Sequence, residues 1–256
     1  MKHERAKLRR AFLSLQFDCV ASDTLLGQMA ARSAEKEFAY LVTPNVDHVV
    51  RLHSIEHKDD RVRAAYDNAQ WCTCDSRILA LLAAMQGIRL PVVTGSDLTA
   101  DVLQSALGSG DRIALVGGKR SSARLLRKMF PEIEIVEHQP PMGLMSNPVA
   151  IEAAAAFIAE SKARFTFISV GSPQQELIAH ATFRRPDATG IGLCVGAAIE
   201  FVVGGKRRAP PLVQKLKLEW AFRLFCEPAR LWRRYLVEGP RILLIALAEF
   251  RHRPRY

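Results

Sequence analysis

Two polar turns follow short apolar runs of this 256-residue sequence, and both carry side chains that can do chemistry. Asp75 comes directly after the run 71–74, and a carboxylate there acts as a general base when a substrate hydroxyl comes within hydrogen-bond reach. Asp75 could equally cap a helix that begins near Ser76, and the spacing alone favours the cap. Thr43 and Asn45 place a hydroxyl and an amide in the turn after the run 40–42, where ordinary turn chemistry also explains them.

The segment 171–176, Gly-Ser-Pro-Gln-Gln-Glu, combines a loop signal with a helix start. Ser172 fits the N-cap position, Pro173 the first helical position and Gln175 the third, which together make a capping box. Capping alone would explain the segment. A strand is expected just before Gly171, however, so the same turn directs side chains towards the carboxyl edge of a sheet.

Gly117 and Gly118 close another apolar run and precede a helix that carries Lys119 and Arg120. Such a loop can bring backbone N–H groups and a helix N-terminus close to a phosphate. The segment has neither the glycine fingerprint of dinucleotide-binding folds nor the pattern of a P-loop. On its own, a tight strand-to-helix turn is the simpler explanation.

Three arginines near the C-terminus, Arg223, Arg230 and Arg233, recur at spacings of seven and three, which places them on one face of a continuous helix. Pro228 lies between the first two and is expected to break such a helix. A guanidinium makes bidentate, charge-assisted bonds with phosphate oxygens, so aligned arginines suit a diphosphate. A row of solvated arginines is the alternative.

Most of the net charge lies in the last fifth of the chain. The formal net charge is +10, of which residues 206–256 hold +9, from 13 basic and four acidic residues. Two of the three Trp lie in the same segment. Bases interleaved with aromatic residues suit an anionic membrane surface or a nucleic acid, while a solvated helical face is the plainer explanation.

Composition excludes several classes of protein. A hydrophobic content of 49% and a charged content of 24% argue against disorder, collagen-like repeats and coiled coils. Five Cys without a CxxC spacing indicate neither a disulfide framework nor a zinc knuckle, which favours a reduced, cytoplasmic protein. We expect neither a secretory signal nor a membrane span, since no apolar stretch approaches the roughly 20 residues that a span needs.

Short β-rich runs alternate with helical stretches over the first 205 residues. The alternation predicts an α/β fold, a Rossmann-like, mainly parallel sheet with helices on both faces. The Pro-punctuated tail predicts two or three helices, so we expect an α/β catalytic core over 1–205 and a helical appendage over 206–256. The predicted strands are 40–43, 70–74, 90–93, 112–116, 133–136, 165–170 and 190–195, and the predicted helices are 24–36, 46–55, 76–86, 96–107, 121–130, 148–161 and 173–182.

Four segments are more informative together than singly. They are 43–47 (TPNVD), 171–176 (GSPQQE), 195–210 (VGAAIEFVVGGKRRAP) and 218–236 (LEWAFRLFCEPARLWRRYL). On these segments the sequence resembles the WecG/TagA/CpsF glycosyltransferases (glycosyltransferase family 26), with a likeness that runs from near residue 16 to near residue 244. The last two segments are the most specific, because a long irregular run of Trp, Arg, Pro and Tyr is hard to match by chance.

The resemblance implies an inverting, metal-independent transferase that moves a hexose from a UDP-sugar to a polyprenyl-diphosphate-linked sugar in bacterial cell-surface and exopolysaccharide biosynthesis. It implies no cofactor and no nucleic-acid partner. It also implies a peripheral place on the inner face of the cytoplasmic membrane, with the anionic membrane surface as a partner. The choice of UDP-hexose, acceptor sugar and linkage stays open, and so does a homo-oligomer.

Matched position by position, the resemblance also gives roles to the residues. Asp75 takes the place of the catalytic base, with Thr43 and Asn45 in the pocket beside it, and Gln175 takes the place of an active-site Gln. Glu200 stands where the family usually has an Asp of the donor pocket. The full set assigned to substrate binding is Gly117, Gly118, Gly171, Glu200, Arg223, Arg230 and Arg233.

Residues and resemblance agree on a mechanism. Asp75 would deprotonate the acceptor hydroxyl as it attacks C1, and arginines would neutralise the leaving UDP, since the sequence has no DxD motif for a metal. The tail would dock to the bilayer and complete the active site. Three alternatives remain: another nucleotide-binding α/β enzyme such as a dehydrogenase, a nucleic-acid-binding module that uses the basic tail, and an inactive membrane-associated scaffold.

Overall fold

The structure, a computed structural model, describes residues 8–32, 34–54, 59–205, 210, 213 and 219–252. Within 219–252 it leaves undescribed the side chains of Glu219, Arg223, Arg230, Arg234, Tyr235 and His252.

A parallel sheet confirms the predicted α/β architecture. In the described part of the chain, six strands pair in the order β4-β3-β8-β7-β5-β6, all parallel. A separate antiparallel hairpin, β1 with β2, precedes them. The strands are β1 Arg9–Phe12, β2 Leu15–Asp18, β3 Ala39–Val42, β4 Trp71–Cys72, β5 Arg112–Gly117, β6 Glu134–His138, β7 Phe165–Ser169 and β8 Ile191–Cys194.

Helices cover both faces of the sheet. Alternate residues of β3 belong to two different apolar cores, with Tyr40 and Val42 in one and Ala39 and Leu41 in the other. This alternation is what a strand buried on both faces requires. The described helices are α1 Ser22–Ala30, α2 Val46–His53, α3 Asp60–Asp67, α4 Arg77–Ala84, α5 Gly95–Asp101, α6 Arg120–Met129, α7 Pro148–Ser161, α8 Gln174–Phe183, α9 Ala198–Val202, α10 Glu219–Cys226, α11 Pro228–Trp232 and α12 Arg241–His252.

Two short π-helices and one 3₁₀ turn complete these elements. The helix predicted at 96–107 continues from α5 into the π-helix Val102–Ala106. A second π-helix, Arg233–Glu238, follows α11, and the 3₁₀ turn is Leu144–Ser146.

Two local predictions are wrong, and the N-terminal hairpin was missed. Residues 90–93 form no strand, and Val92 makes only an isolated parallel bridge with Cys74, because Pro91 has no N–H for a ladder bond. The helix predicted at 24–36 ends at Ala30. The hairpin of β1 and β2 was not predicted at all.

The tail packs on the core through α12. Ile242 and Ala246 are buried in the same apolar core as residues of α2. Oε2 of Glu249 accepts a hydrogen bond from the backbone N–H of Leu13, at the hairpin turn, at 2.7 Å. None of the described helices is both long and apolar enough to cross a membrane. The boundary between core and appendage at residue 205 stays a prediction.

Candidate active site

A cavity of about 690 Å³ opens at the carboxyl edge of the sheet, beyond the ends of β3, β4, β7 and β8. This volume lies within the range of small-molecule sites, about 300–1,000 Å³. Its walls bring together six of the residues that the sequence assigns to the site: Thr43, Asn45, Asp75, Gly171, Gln175 and Glu200. Asp75 and the loop 171–176 therefore share one cavity.

Asp75 is joined to the neighbouring turn through the backbone. Its N–H donates to the carbonyl of Pro44 at 3.1 Å, and its side chain is half-buried. The alternative in which Asp75 caps the next helix is wrong, because Ser76 is the N-cap of α4 and its hydroxyl accepts from the N–H of Leu79 at 3.2 Å. The local fold does not need the carboxylate of Asp75 as a helix cap.

Thr43 and Asn45 hold the wall beside Asp75. The hydroxyl of Thr43 donates to the carbonyl of Cys194 at 3.0 Å and thereby links the ends of β3 and β8. The side-chain oxygen of Asn45 accepts from the N–H groups of Asp47 at 3.0 Å and His48 at 3.4 Å, so Asn45 is the N-cap of α2. A contact between Asn45 and a substrate would therefore come from its Nδ2.

The start of α8 differs from the predicted capping box. Pro173, not Ser172, occupies the N-cap position, with φ −91° and ψ 4°, and no side-chain cap bond forms. Gln175 therefore falls at the second helical position. Its side chain turns inwards, where Oε1 accepts from the N–H of Gly196 at 3.0 Å and Nε2 donates to Oε1 of Glu176 at 2.9 Å.

Gly117 and Gly118 line a smaller recess that adjoins the cavity and shares residue Glu200 with it. Both glycines have positive φ, +77° and +76°, and a Cβ on Gly117 would lie 2.5 Å from a methyl of Val170. Only glycine fits this turn without strain. At the recess, Nζ of Lys119 lies 3.5 Å from Oε2 of Glu200, whose side chain is 12% exposed.

The tail contributes to the cavity, although not through the arginines that the structure describes. Phe222, Cys226, Glu227 and Leu231 line its wall, and Leu231 is buried. Arg233 is not among the residues that line the cavity. Its Nε is 3.4 Å from Oε1 of Glu238, and its side chain is 75% exposed. The side chains of Arg223 and Arg230 lie outside the described residues, on α10 and α11.

Several wall residues were missed by the sequence analysis. Gly196 lies two residues after the end of β8. His48 lies in the first turn of α2, where its Nδ1 is 3.3 Å from the hydroxyl of Tyr66. Ser96 lies at the start of α5. The sequence could have indicated Gly196 and His48. Gly196 follows the predicted strand 190–195, as Gly171 follows the predicted strand 165–170. His48 is a polar residue close behind the Thr43 turn, as Asn45 is.

Buried thiols near the strand ends are unsuited to covalent catalysis. Burial raises the pKa of Cys74 to about 12 and raises that of Cys194 well above its usual value. The thiolate, which is the nucleophile, is therefore scarce at both positions near neutral pH. Among the described residues, no cluster of His, Cys, Asp and Glu side chains has the arrangement of a metal site.

An open parallel sheet with a cavity outside the carboxyl ends of its strands is the arrangement in which α/β proteins bind their ligands. The particular family follows from a direct comparison. The family model described as "Glycosyl transferase WecG/TagA/CpsF family" matches residues 10–256. The chain belongs to this family of glycosyltransferases, as its sequence segments predicted.

Proposed function

We propose that the protein is an inverting, metal-independent glycosyltransferase of bacterial cell-surface polysaccharide synthesis, which moves a hexose from a UDP-sugar to a polyprenyl-diphosphate-linked sugar. The observation that carries the proposal is the single cavity that Asp75, Thr43, Asn45 and Gln175 share at the carboxyl edge of the sheet. Family membership supplies the reaction class. The cavity supplies the room and the carboxylate that a one-step transfer needs.

In this proposal Asp75 is the general base. Its carboxylate takes the proton of the acceptor hydroxyl as that oxygen attacks C1 of the donor hexose, and UDP leaves from the opposite side. General bases of this kind contribute about 10²- to 10⁴-fold to a rate. The backbone bond from Asp75 to Pro44 and the cap made by Ser76 hold the loop on both sides of the carboxylate.

The leaving UDP gathers negative charge, and we assign its neutralisation to Arg223, Arg230 and Arg233. Phe222, next to Arg223, and Leu231, next to Arg230, line the cavity, so the helices that carry Arg223 and Arg230 border it. Arg233 would have to exchange Glu238 for the diphosphate. Loss of one such cation would cost about 3 kcal/mol of transition-state stabilisation, by analogy with the loss of an oxyanion donor.

The same tail is our candidate for membrane contact. The outer face of α12 exposes Leu243, Leu244 and Leu247, which are 57%, 69% and 49% exposed. Together with the +9 charge of residues 206–256, this face suits an anionic leaflet, where each base adds about 1 kcal/mol of attraction. Docking would bring the cavity to the lipid-linked acceptor and close the arginines over the donor.

The test is a turnover assay with a panel of UDP-hexoses. Purified protein, anionic vesicles and a synthetic polyprenyl-diphosphate sugar are incubated with each donor, and UDP release is measured with and without EDTA. We expect release with one donor or a narrow set, dependent on the acceptor and undiminished by EDTA. Strict dependence on an added divalent metal would refute the arginine mechanism, and absence of release with every donor would refute the proposed function.

A further inference from the structure

Glu176 is a carboxyl group that the protein buries completely behind the wall of the candidate active site. It lies next to Gln175 in the first turn of α8 and has no exposed surface. Removing a carboxyl from water is unfavourable unless hydrogen bonds compensate, so an apolar side chain would fill the same space more readily. A buried Glu at this position therefore calls for a specific role.

The contacts of Glu176 reach the cavity wall in two steps. Its Oε1 accepts from Nε2 of Gln175 at 2.9 Å, and Oε1 of Gln175 accepts from the N–H of Gly196 at 3.0 Å. An amide side chain has one donor end and one acceptor end. An acceptor placed behind Gln175 therefore selects the orientation that presents the amide oxygen to Gly196.

We infer that Glu176 is a positioning residue, which fixes the side-chain amide of Gln175 and, through it, the Gly196 turn that lines the cavity. The inference rests on the proposed function for its kinetic test only. Burial raises the pKa of the Glu176 carboxyl, while Gln175, Ser172 and Arg51 act in the opposite direction. A competing explanation is that Glu176 merely stabilises the positive end of α8, as acidic residues do in the first turn of a helix.

A double-mutant cycle separates the two explanations. Gln175→Ala and Glu176→Leu should each lower kcat about tenfold with little change in KM, as expected for loss of a buried hydrogen bond. If Glu176 acts through Gln175, the double variant should lie within about twofold of Gln175→Ala. Multiplied losses would overturn the inference, because a helix-end effect does not depend on Gln175. Glu176→Gln keeps an acceptor oxygen and should stay within about threefold of wild-type kcat.

Amide exchange of Gly196 tests the same geometry without any substrate. In Gln175→Ala and in Glu176→Leu the exchange rate of the Gly196 N–H should rise at least about tenfold, while amides in the middle of α7 keep their protection. Glu176→Gln should leave the Gly196 rate within about threefold of wild type. If the Leu variant does not fold, Glu176→Ala, which also lacks the acceptor, takes its place, and a Gly196 exchange rate within about threefold of wild type in that variant would overturn the inference. Because no donor is involved, this result stands whether or not UDP-sugars are substrates.

Discussion

The replacement of Asp75 by Asn tests the proposed chemistry most directly. The substitution keeps the size of the side chain and the backbone bond to Pro44, but it removes the proton acceptor. We expect kcat to fall about 10²- to 10⁴-fold with the correct donor, the range for loss of a general base. Stability should change by less than about 1 kcal/mol, since the cap of α4 belongs to Ser76 and a half-buried polar change is usually mild.

Ser76→Ala is the matched control on the neighbouring residue. It removes the 3.2 Å bond to the N–H of Leu79 and should lower the free energy of unfolding by about 1 kcal/mol, while kcat changes little. UDP release at saturating donor and acceptor gives kcat, and urea unfolding gives stability. The reasoning is refuted if Asp75→Asn keeps more than a tenth of wild-type kcat, or if its activity loss is matched by an equal loss in Ser76→Ala.

Three further predictions concern stability. Gly117→Ala should lower the free energy of unfolding by about 2–4 kcal/mol, because a positive φ is combined with a contact of 2.5 Å between the added Cβ and Val170. Gly110→Ala is the control: with φ +82° and open space around the added Cβ, it should cost about 1–2 kcal/mol. Equal losses of unfolding free energy in urea would contradict the steric argument. Glu249→Ala removes the acceptor of the Leu13 N–H and should lower the free energy of unfolding by about 1–3 kcal/mol, with faster hydrogen exchange of that amide. An unchanged exchange rate would show that the contact does not hold the hairpin. Because the folded-state pKa of Glu176 is raised, its protonated form stabilises the fold fully below about pH 4.3 and this stability is lost as pH rises through the folded pKa. The free energy of unfolding of wild type should therefore fall relative to that of Glu176→Gln between pH 4 and pH 7. Urea unfolding of both proteins at these two pH values measures it, and the same difference at both would exclude the effect.

The sheet and the strand ends were predictable because buried parallel strands are continuous apolar runs. β3, β5, β7 and β8 all lie within or close to their predicted ranges, and each is followed by a Gly or a polar turn. The hairpin was not predictable, since Leu13 and Ser14 adopt positive φ values of 49° and 62° without the Asn or Gly that signals such a turn. Tertiary packing overrides local preference there, because Leu13 is completely buried.

The site was predictable in part for a related reason. Residues that follow strands, such as Asp75 and Gly171, must meet at one edge of a parallel sheet, and they do. The wall made by the tail could not be deduced in the same way, because the docking of α10 and α11 depends on contacts between distant segments. The capping box failed for a local reason, since the cap position fell on Pro173 and shifted the register by one residue.

The bond between Glu249 and the amide of Leu13 joins residues 236 positions apart. The ribosome synthesises the hairpin before α12, so the amide of Leu13 gains this acceptor only after the chain has grown by a further 236 residues. Ile242 and Ala246 enter the apolar core at the same stage. This core is therefore incomplete until α12 has been synthesised, and a nascent chain cut short before residue 249 would carry a hairpin whose turn amide lacks the Glu249 acceptor.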